Sequence, residues 1–366
     1  MNILILSWRD PKNPKAGGAE IVTHEHAKAW HKAGHNITLF TSSFKGAQAQ
    51  EILDGIIIIR RGDPVFIVHL RAFLWYMFGR HEKFDLIIDH FHGIPFFTPL
   101  YIKQKKLAFI HEVAKDVWKL NSWPKPFHLI PFLLGTIGEP WIFKLIYKSI
   151  PFLTVSESTK LDLIQWRIPA KNITIIYNGV SIDHQARFPE KEKKKTLMFL
   201  GALEKDKGIE DAINAFRLIQ SKEAGWQFWI VGRGQKKYKK ILNQDIKYWG
   251  YISGKEKCNL LARAHVLINP SIREGWGLVN IEANAMGTPV IAYDVPGCRD
   301  SVKQNEIGFL VKPRDYKGLA DKSIELINNK ILYEKFRKNA INWSKNFNWE
   351  KSTEKSTRFI ESLVIN

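Results

Sequence analysis

The chain has 366 residues, 45% hydrophobic and 25% charged, with 55 Lys+Arg against 36 Asp+Glu for a formal net charge of +19. That length predicts two domains with sizeable cores, and the composition excludes general disorder. Only Cys258 and Cys298 are present, which excludes a disulfide framework or a Cys-rich zinc site and points to a reducing compartment, while the charge asks for an anionic partner.

From Met1 the sequence enters a strand-like "NILILS" without a basic n-region or cleavage site, so no secretion signal is expected. A glycine-containing loop follows, and residues 18 to about 33 read as a helix. "NITLFTS" (36–42), "IIIIR" (56–60), "FDLIID" (84–89), "KLAFIH" (106–111), "FLTVS" (152–156) and "ITIIY" (173–177) continue the strands. Several are apolar throughout, as parallel strands covered on both faces are. The apolar runs, Ile56 to Ile59 or Phe127 to Leu134 with His128 and Pro131 inside it, fall short of the ~20 residues that span a bilayer. A polar stretch ending in "KEKKK" reads as a linker over 181–195, after a first domain at 1–180.

The strands restart with "TLMFLG" (196–201), "WQFWIVG" (226–232), "IKYWG" (246–250), "HVLINP" (265–270), "TPVIAY" (288–293) and "GFLV" (308–311). Amphipathic stretches near 208–222, 254–264, 278–287 and 315–329 separate them, giving a second domain at 196–345. Two such blocks predict two facing, doubly wound α/β domains, whose ligands bind beyond the carboxyl ends of the strands. A helical, aromatic-rich tail (Tyr333, Phe336, Trp343, Phe347, Trp349, Phe359) belongs to no strand–helix pair, and 346–366 is expected to pack back on the first domain.

The densest chemistry lies in Ser271-Ile-Arg-Glu274-Gly-Trp-Gly-Leu-Val-Asn-Ile-Glu282, directly after "HVLINP". Gly275 and Gly277 let backbone approach a ligand closely, and a helix starting near Leu278 offers free N–H groups to an anion. One carboxylate in the loop and another a turn into the helix suit two sets of hydroxyls either side of a phosphate. The pattern reads as a nucleotide-sugar site, with Glu282 on ribose, the helix start on the diphosphate and Glu274 on the sugar. The competing reading makes Glu274 a helix cap and Glu282 a solvated charge.

The Glu274-x7-Glu282 spacing resembles that of retaining GT-B glycosyltransferases of the family 4 (group 1) type, and the likeness covers nearly the whole chain. "AGGAE" (16–20), "SES" (156–158), "YNGV" (177–180), "GALEKDKGI" (201–209), "IVGRGQ" (230–235), "GYIS" (250–253) and "NAMGTPVIA" (284–292) fall in the family's order. The resemblance implies two Rossmann-like domains and catalytic roles for Glu274, on the donor sugar's hydroxyls, for Lys207, on the diphosphate, and for His111, near the donor sugar. Donor binding is implied for Glu282, Gly17, Gly18, Gly201, Lys205, Gly232, Tyr251, Ile252, Gly275, Trp276, Gly277, Leu278 and Val279. The family's "G-R-L-x-x-x-K-G" segment carries Ala202 in place of arginine; one electrostatic contact of that kind is worth roughly 3–4 kcal/mol. Lys205, Arg233 and Arg273 are the candidates to replace it, and Glu112 stands where many relatives have aspartate.

The resemblance further implies retention of anomeric configuration by front-face attack, no divalent ion and no cofactor. Two His-x-His pairs, His24/His26 and His90/His92 beside Asp89, lack further ligands at metal spacing, though His92 lies at a sheet edge where it could line the cleft. "GRGQ" (232–235) falls short of a dinucleotide fingerprint.

Both halves are basic, net +8 over residues 1–180 and +11 over the remainder. "PVFIVHLRAFLWYMFGR" (64–80) and "VWKLNSWPKPFHLIPFLLGTIGEPWIFKLIYK" (117–148) interleave aromatics with cations. Such segments suit either an anionic membrane boundary or amphipathic helices covering the first sheet. The expected partners are a UDP- or GDP-sugar, a lipid-linked or glycan acceptor and an anionic membrane surface on the cytoplasmic side. Alternatives are a soluble sugar-phosphate glycosyltransferase or nucleotide-sugar epimerase and, remotely, a nucleic-acid-binding protein. The last is disfavoured because paired glutamates in the ligand loop would repel a polyanion.

Overall fold

The computed structural model describes residues 1–63, 67–91, 93–120, 129–180, 189–234, 238, 243–252 and 254–365. The chain divides into two compact units, Met1–Asn178 with Trp349–Asn366, and Gly179–Asn348.

The first unit is built on β1 (Asn2–Ser7), β2 (Asn36–Thr41), β3 (Gln50–Leu53), β4 (Ile56–Arg60), β5 (Leu86–His90), β6 (Lys105–Phe109), β7 (Phe152–Thr154) and β8 (Ile173–Ile175). They form one sheet in the order β3-β4-β2-β1-β5-β6-β7-β8. Only β3 against β4 is antiparallel, joined by Asp54 and Gly55 at positive φ. Strand β3 has no counterpart in the hydropathy pattern because it is four polar-flanked residues at the sheet edge. The Asp-Gly pair before "IIIIR" was the available signal.

The central strand β1 buries Ile3, Leu4, Ile5 and Leu6 completely, which is why it reads as apolar on both faces. On one face Leu4, Leu6 and Ile87 pack with Val68 and Ala72 of α2 (Ile67–Phe78). The opposite face carries α1 (Gly18–Lys32) and the C-terminal helix α12 (Trp349–Ile365). There His26 Nδ1 and Trp30 Nε1 meet Ser356 Oγ at 2.8 and 3.0 Å. Burial lowers the pKa of His26 to about 4.

Between β6 and β7 the chain runs helically from Leu129 to Tyr147. The run comprises α3 (Leu129–Leu133), a π turn (Leu134–Gly138), α4 (Glu139–Ile142) and a second π turn (Phe143–Tyr147). By length and composition alone its 19 residues could cross a membrane, contrary to the expectation that no apolar stretch was long enough. The sequence hides this because Pro131, Gly135, Gly138 and Pro140 punctuate the run, and wider π turns carry the helix through. One side of it is nevertheless core: Phe143 and Tyr147 are fully buried against Phe91, Ala108 and Phe152.

The second unit holds β9 (Lys195–Leu200), β10 (Trp226–Val231), β11 (Ile246–Gly250), β12 (Val266–Asn269), β13 (Val290–Tyr293) and β14 (Gly308–Val311). These order as β11-β10-β9-β12-β13-β14, every pairing parallel. Its helices are α6 (Ile209–Lys222), α7 (Gly254–Arg263), α8 (Leu278–Ala285), the short α9 (Cys298–Ser301), α10 (Tyr316–Asn328) and α11 (Lys330–Ser344), while α5 (Glu157–Gln165) belongs to the first unit. The part of the expected linker at 181–188 lies outside the described residues. Lys191 and Glu192 are fastened to the second unit: Lys191 Nζ donates to Ala264 O and Thr288 Oγ1, and Glu192 pairs with Arg263. Burial drives the Lys191 pKa well down.

Candidate active site

At the carboxyl edge of the second sheet, β12 leads through residues 270–277 into α8. Gly277 caps that helix at φ +70°, where a Cβ would lie 2.6 Å from Asn280 Nδ2 and 2.8 Å from Ser301 Oγ. Asn280 accepts from Asn269 Nδ2 (2.8 Å) and donates to Ser301 Oγ (2.9 Å), tying the helix start to the end of β12. No side chain caps α8, so its first-turn amides and positive pole suit an anion.

Glu274 projects from the loop before this helix. Its Oε1 accepts from Ser271 Oγ (2.7 Å) and from Lys207 Nζ (2.9 Å), which arrives on the loop after β9. Glycines permit that meeting. At Gly208, φ +72°, a Cβ would come within 2.1 Å of the Pro270 carbonyl. At Gly297, φ +79°, it would come within 2.2 Å of the Glu274 carbonyl. The Ile272 amide donates to Asp206 O and the Glu274 amide to Pro296 O, closing three loops on one another. Both charged side chains stay partly exposed, so their pairing contributes about 0.2–1 kcal/mol and exchanges readily for a ligand. One turn into α8, Glu282 accepts from Lys257 Nζ of α7 at 2.6 Å. Lys257 was not singled out in the sequence, where it is one of several lysines in "GKEKC".

Gly201 and Gly232, two of the glycines assigned to donor binding, form a turn of close backbone contact. Gly232 stands at φ +144°, and a Cβ there would lie 1.7 Å from Gly201 O. The Gly201 amide donates to Val231 O, the Gly232 amide to Gly250 O, and the Tyr248 hydroxyl to Gly232 O. Next to this turn Tyr251 is exposed, with the Arg233 guanidinium 3.6 Å from its ring centroid. Gly275, Leu278, Val279 and Ile252 are half-buried in the same set of loops. The Trp276 indole is buried, edge-on to Phe347 at 5.0 Å. Of the candidates to replace the missing arginine, Lys205 is exposed, Arg233 lies over Tyr251 and Arg273 is buried. Ser253 and Gln235 lie outside the described residues.

In the first unit, Gly17 is the N-cap of α1 at φ −123°. Glu20 accepts from the Gly17 amide (2.7 Å) and from Trp8 Nε1 (3.0 Å). A Cβ at Gly17 would meet nothing closer than 3.7 Å, so the fold itself does not demand glycine there. Gly18 opens the helix. Before it, Asp10 and Arg60 form a fully buried bidentate pair at 2.7 and 2.9 Å, which the sequence did not announce. His111 lies just beyond β6; its carbonyl accepts from Thr159 Oγ1, and its ring sits 5.2 Å from that of His90. His90 in turn bonds Ser7 Oγ (2.9 Å) and Thr23 Oγ1 (3.1 Å). "SES" supplies the cap of α5, Ser156 Oγ accepting from the Thr159 amide. Glu112 is half-buried beside His111.

The His24/His26 pair separates as helical geometry requires: His24 reaches Asp54 at 2.8 Å while His26 turns to α12. Asp89 is saturated by Phe96 N, Thr98 N, Thr98 Oγ1 and the Tyr147 hydroxyl. Burial raises its pKa. His92 lies outside the described residues, and among the described residues no group of three His, Cys, Asp or Glu side chains could hold a metal.

Two family models match the chain, Glycosyltransferase Family 4 over residues 16–184 and Glycosyl transferases group 1 over residues 181–343. An uncharacterized glycosyltransferase of Methanocaldococcus jannaschii is 30% identical over 285 residues, 73% of this chain and 71% of that protein. The chain belongs to this glycosyltransferase family. The glycosyltransferase is also 27% identical to a phosphatidyl-myo-inositol mannosyltransferase of Mycobacterium leprae over 238 residues, 62% of each chain. It superposes on Anabaena HepE, solved with UDP-glucose, with a TM-score of 0.75 at 18% identity, covering 99% of this chain and 100% of that one. Its fold is therefore GT-B.

Proposed function

We propose that this glycosyltransferase moves a hexose from a UDP- or GDP-sugar to a lipid-linked glycan or glycolipid at the cytoplasmic face of a membrane, with retention and without a divalent ion. The observation that carries the donor half is the Lys207–Glu274 pair, 2.9 Å apart and partly exposed, among the same loops as the uncapped start of α8. In this reading Lys207 and the α8 amides share the diphosphate charge that grows as the glycosidic bond breaks. Releasing Lys207 frees Glu274 to accept from sugar hydroxyls, and Glu282 accepts from ribose hydroxyls with Lys257 steadying its charge. The leaving phosphate takes the acceptor's proton on the face it departs from. His111 keeps the role near the donor sugar that the resemblance implies. HepE, solved with UDP-glucose, and the phosphatidyl-myo-inositol enzyme support a nucleotide-sugar donor and a lipid acceptor respectively.

A panel of UDP- and GDP-sugars tests the donor: one of them should raise the melting temperature, and Glu282→Ala should abolish that shift. Unchanged protection in Glu282→Ala refutes the ribose assignment. Product anomers read by NMR test retention, and undiminished turnover in excess EDTA tests metal independence.

A further inference from the structure

In the first unit an apolar surface remains where two helices already cover the sheet. Helix α2 leaves Ile67, Leu70, Leu74, Met77 and Phe78 exposed, Phe78 at 76%. The Leu129–Tyr147 run exposes Leu129, Leu133, Ile137, Trp141 and Leu145, one every four residues and so a single stripe, Leu145 at 70%. Both helices lie on the same face of the sheet. Val68 and Ala72 pack on Leu4, Leu6 and Ile87, while Phe143 and Tyr147 pack on Ala108. Ala108 is registered beside Asp89, which shares the face of Ile87. The turn Thr98–Leu100 lies between the helices. Tyr101, just after it, stacks edge-on to Phe73 of α2, Thr98 and Tyr147 share Asp89, and Leu100 is itself exposed.

Charge selects the occupant. Over 67–80 and 129–148 the cations are Arg71, Arg80, Lys144 and Lys148, all exposed, and the single carboxylate is Glu139, which is buried. Lys144 Nζ lies 4.8 Å over the Trp141 ring, an ammonium and an indole side by side as at a headgroup boundary. A surface offering aliphatic and aromatic groups plus cations, and no exposed carboxylate, fits an anionic bilayer. The stripe lies on that bilayer rather than crossing it, because Phe143 and Tyr147 are locked in the core and the Tyr147 hydroxyl is bonded to Asp89.

Glu139 links this surface to the loop that follows His111. From the middle of the run its carboxylate accepts from the Ala114 amide (3.0 Å), the Lys115 amide (3.3 Å) and Trp118 Nε1 (3.0 Å). Those donors belong to the loop that starts at His111, and Trp118 packs over Gly135 of the run. We propose that the stripe formed by α2 and Leu129–Tyr147 seats on an anionic bilayer, and that Glu139 transmits the seating to the loop following His111. This deepens the proposed lipid acceptor and rests on it for its purpose, though its test needs no donor.

The full chain is floated with vesicles of phosphatidylcholine alone or with phosphatidylglycerol. Binding is expected only to the anionic vesicles, and Leu133→Asp/Ile137→Asp, at two exposed positions, should weaken it by about tenfold or more. Equal binding by that variant with unchanged melting overturns the docking surface. Concentration-dependent self-association without vesicles, lost in the same variant, assigns the surface to a second copy and also overturns it. Hydrogen exchange at the Ala114 and Lys115 amides should slow when anionic vesicles bind the natural chain, and Glu139→Gln should lose that slowing while still floating. Exchange indifferent to bound vesicles in the natural chain overturns the coupling, whatever the variant's stability. Donor protection measured without vesicles reports on the nucleotide-sugar reading separately.

Discussion

The carboxylates of the two units differ in how they are held. In the second unit Glu274 and Glu282 are partly exposed, each facing one lysine, Lys207 and Lys257. In the first unit Asp89 and Glu139 are buried and each receives several donors from a neighbouring loop. A partly exposed carboxylate held by one ammonium, with one hydroxyl besides at Glu274, can trade it for a ligand at small cost, whereas a buried one with several donors cannot be released without stranding them. The first kind suits a binding site and the second fixes a loop.

That contrast breaks if the two kinds respond alike to mutation. Lys207→Ala should give the largest loss, about 100-fold or more in kcat/KM, with the melting temperature scarcely changed. Asp89→Ala should do the reverse, lowering unfolding free energy by about 3 kcal/mol in denaturant titrations while donor protection persists in the folded fraction. Gly208→Ala sharpens the point, because the strain falls on the loop carrying Lys207. A cost of about 1–3 kcal/mol is expected, with turnover falling further than stability.

Acid should act on the packing. His26 and His265 are both held near a pKa of about 4 by burial, with neighbouring cations adding to the effect at His265. The unfolded chain takes up these protons near 6.5 while the folded chain resists them. Stability is therefore full above that pH and declines as pH falls toward 4, by up to about 1.4 kcal/mol per pH unit for each histidine. Urea midpoints from pH 7 to 4.5 measure this; a slope unchanged in His26→Phe would clear His26 of any part in it. Smallest is Ser356→Ala, which removes the shared partner of His26 and Trp30 and should cost about 1 kcal/mol.

Much of the site was legible because its chemistry is local. Glu274, Glu282, Gly277 and the start of α8 fall within one strand–loop–helix passage, and Lys207 follows its strand in the same way. Both sheets, too, were readable from apolar runs bounded by polar loops. Partners that arrive from elsewhere were not. Lys257 comes to Glu282 on a separate helix, and Arg60 meets Asp10 across fifty positions. The packing of Trp276 on Phe347 is likewise not announced by its own segment.

The sequence alone determined two parallel-sheet units and the loops that carry the carboxylates and lysines, since hydropathy period and glycine placement act between near neighbours in the chain. Only the tertiary structure decided which carboxylates are exchangeable and which are saturated, and that Pro- and Gly-interrupted apolar residues form one continuous helix with a bare face. Those outcomes depend on burial and on donors brought from distant segments, and neither is encoded at the residue itself.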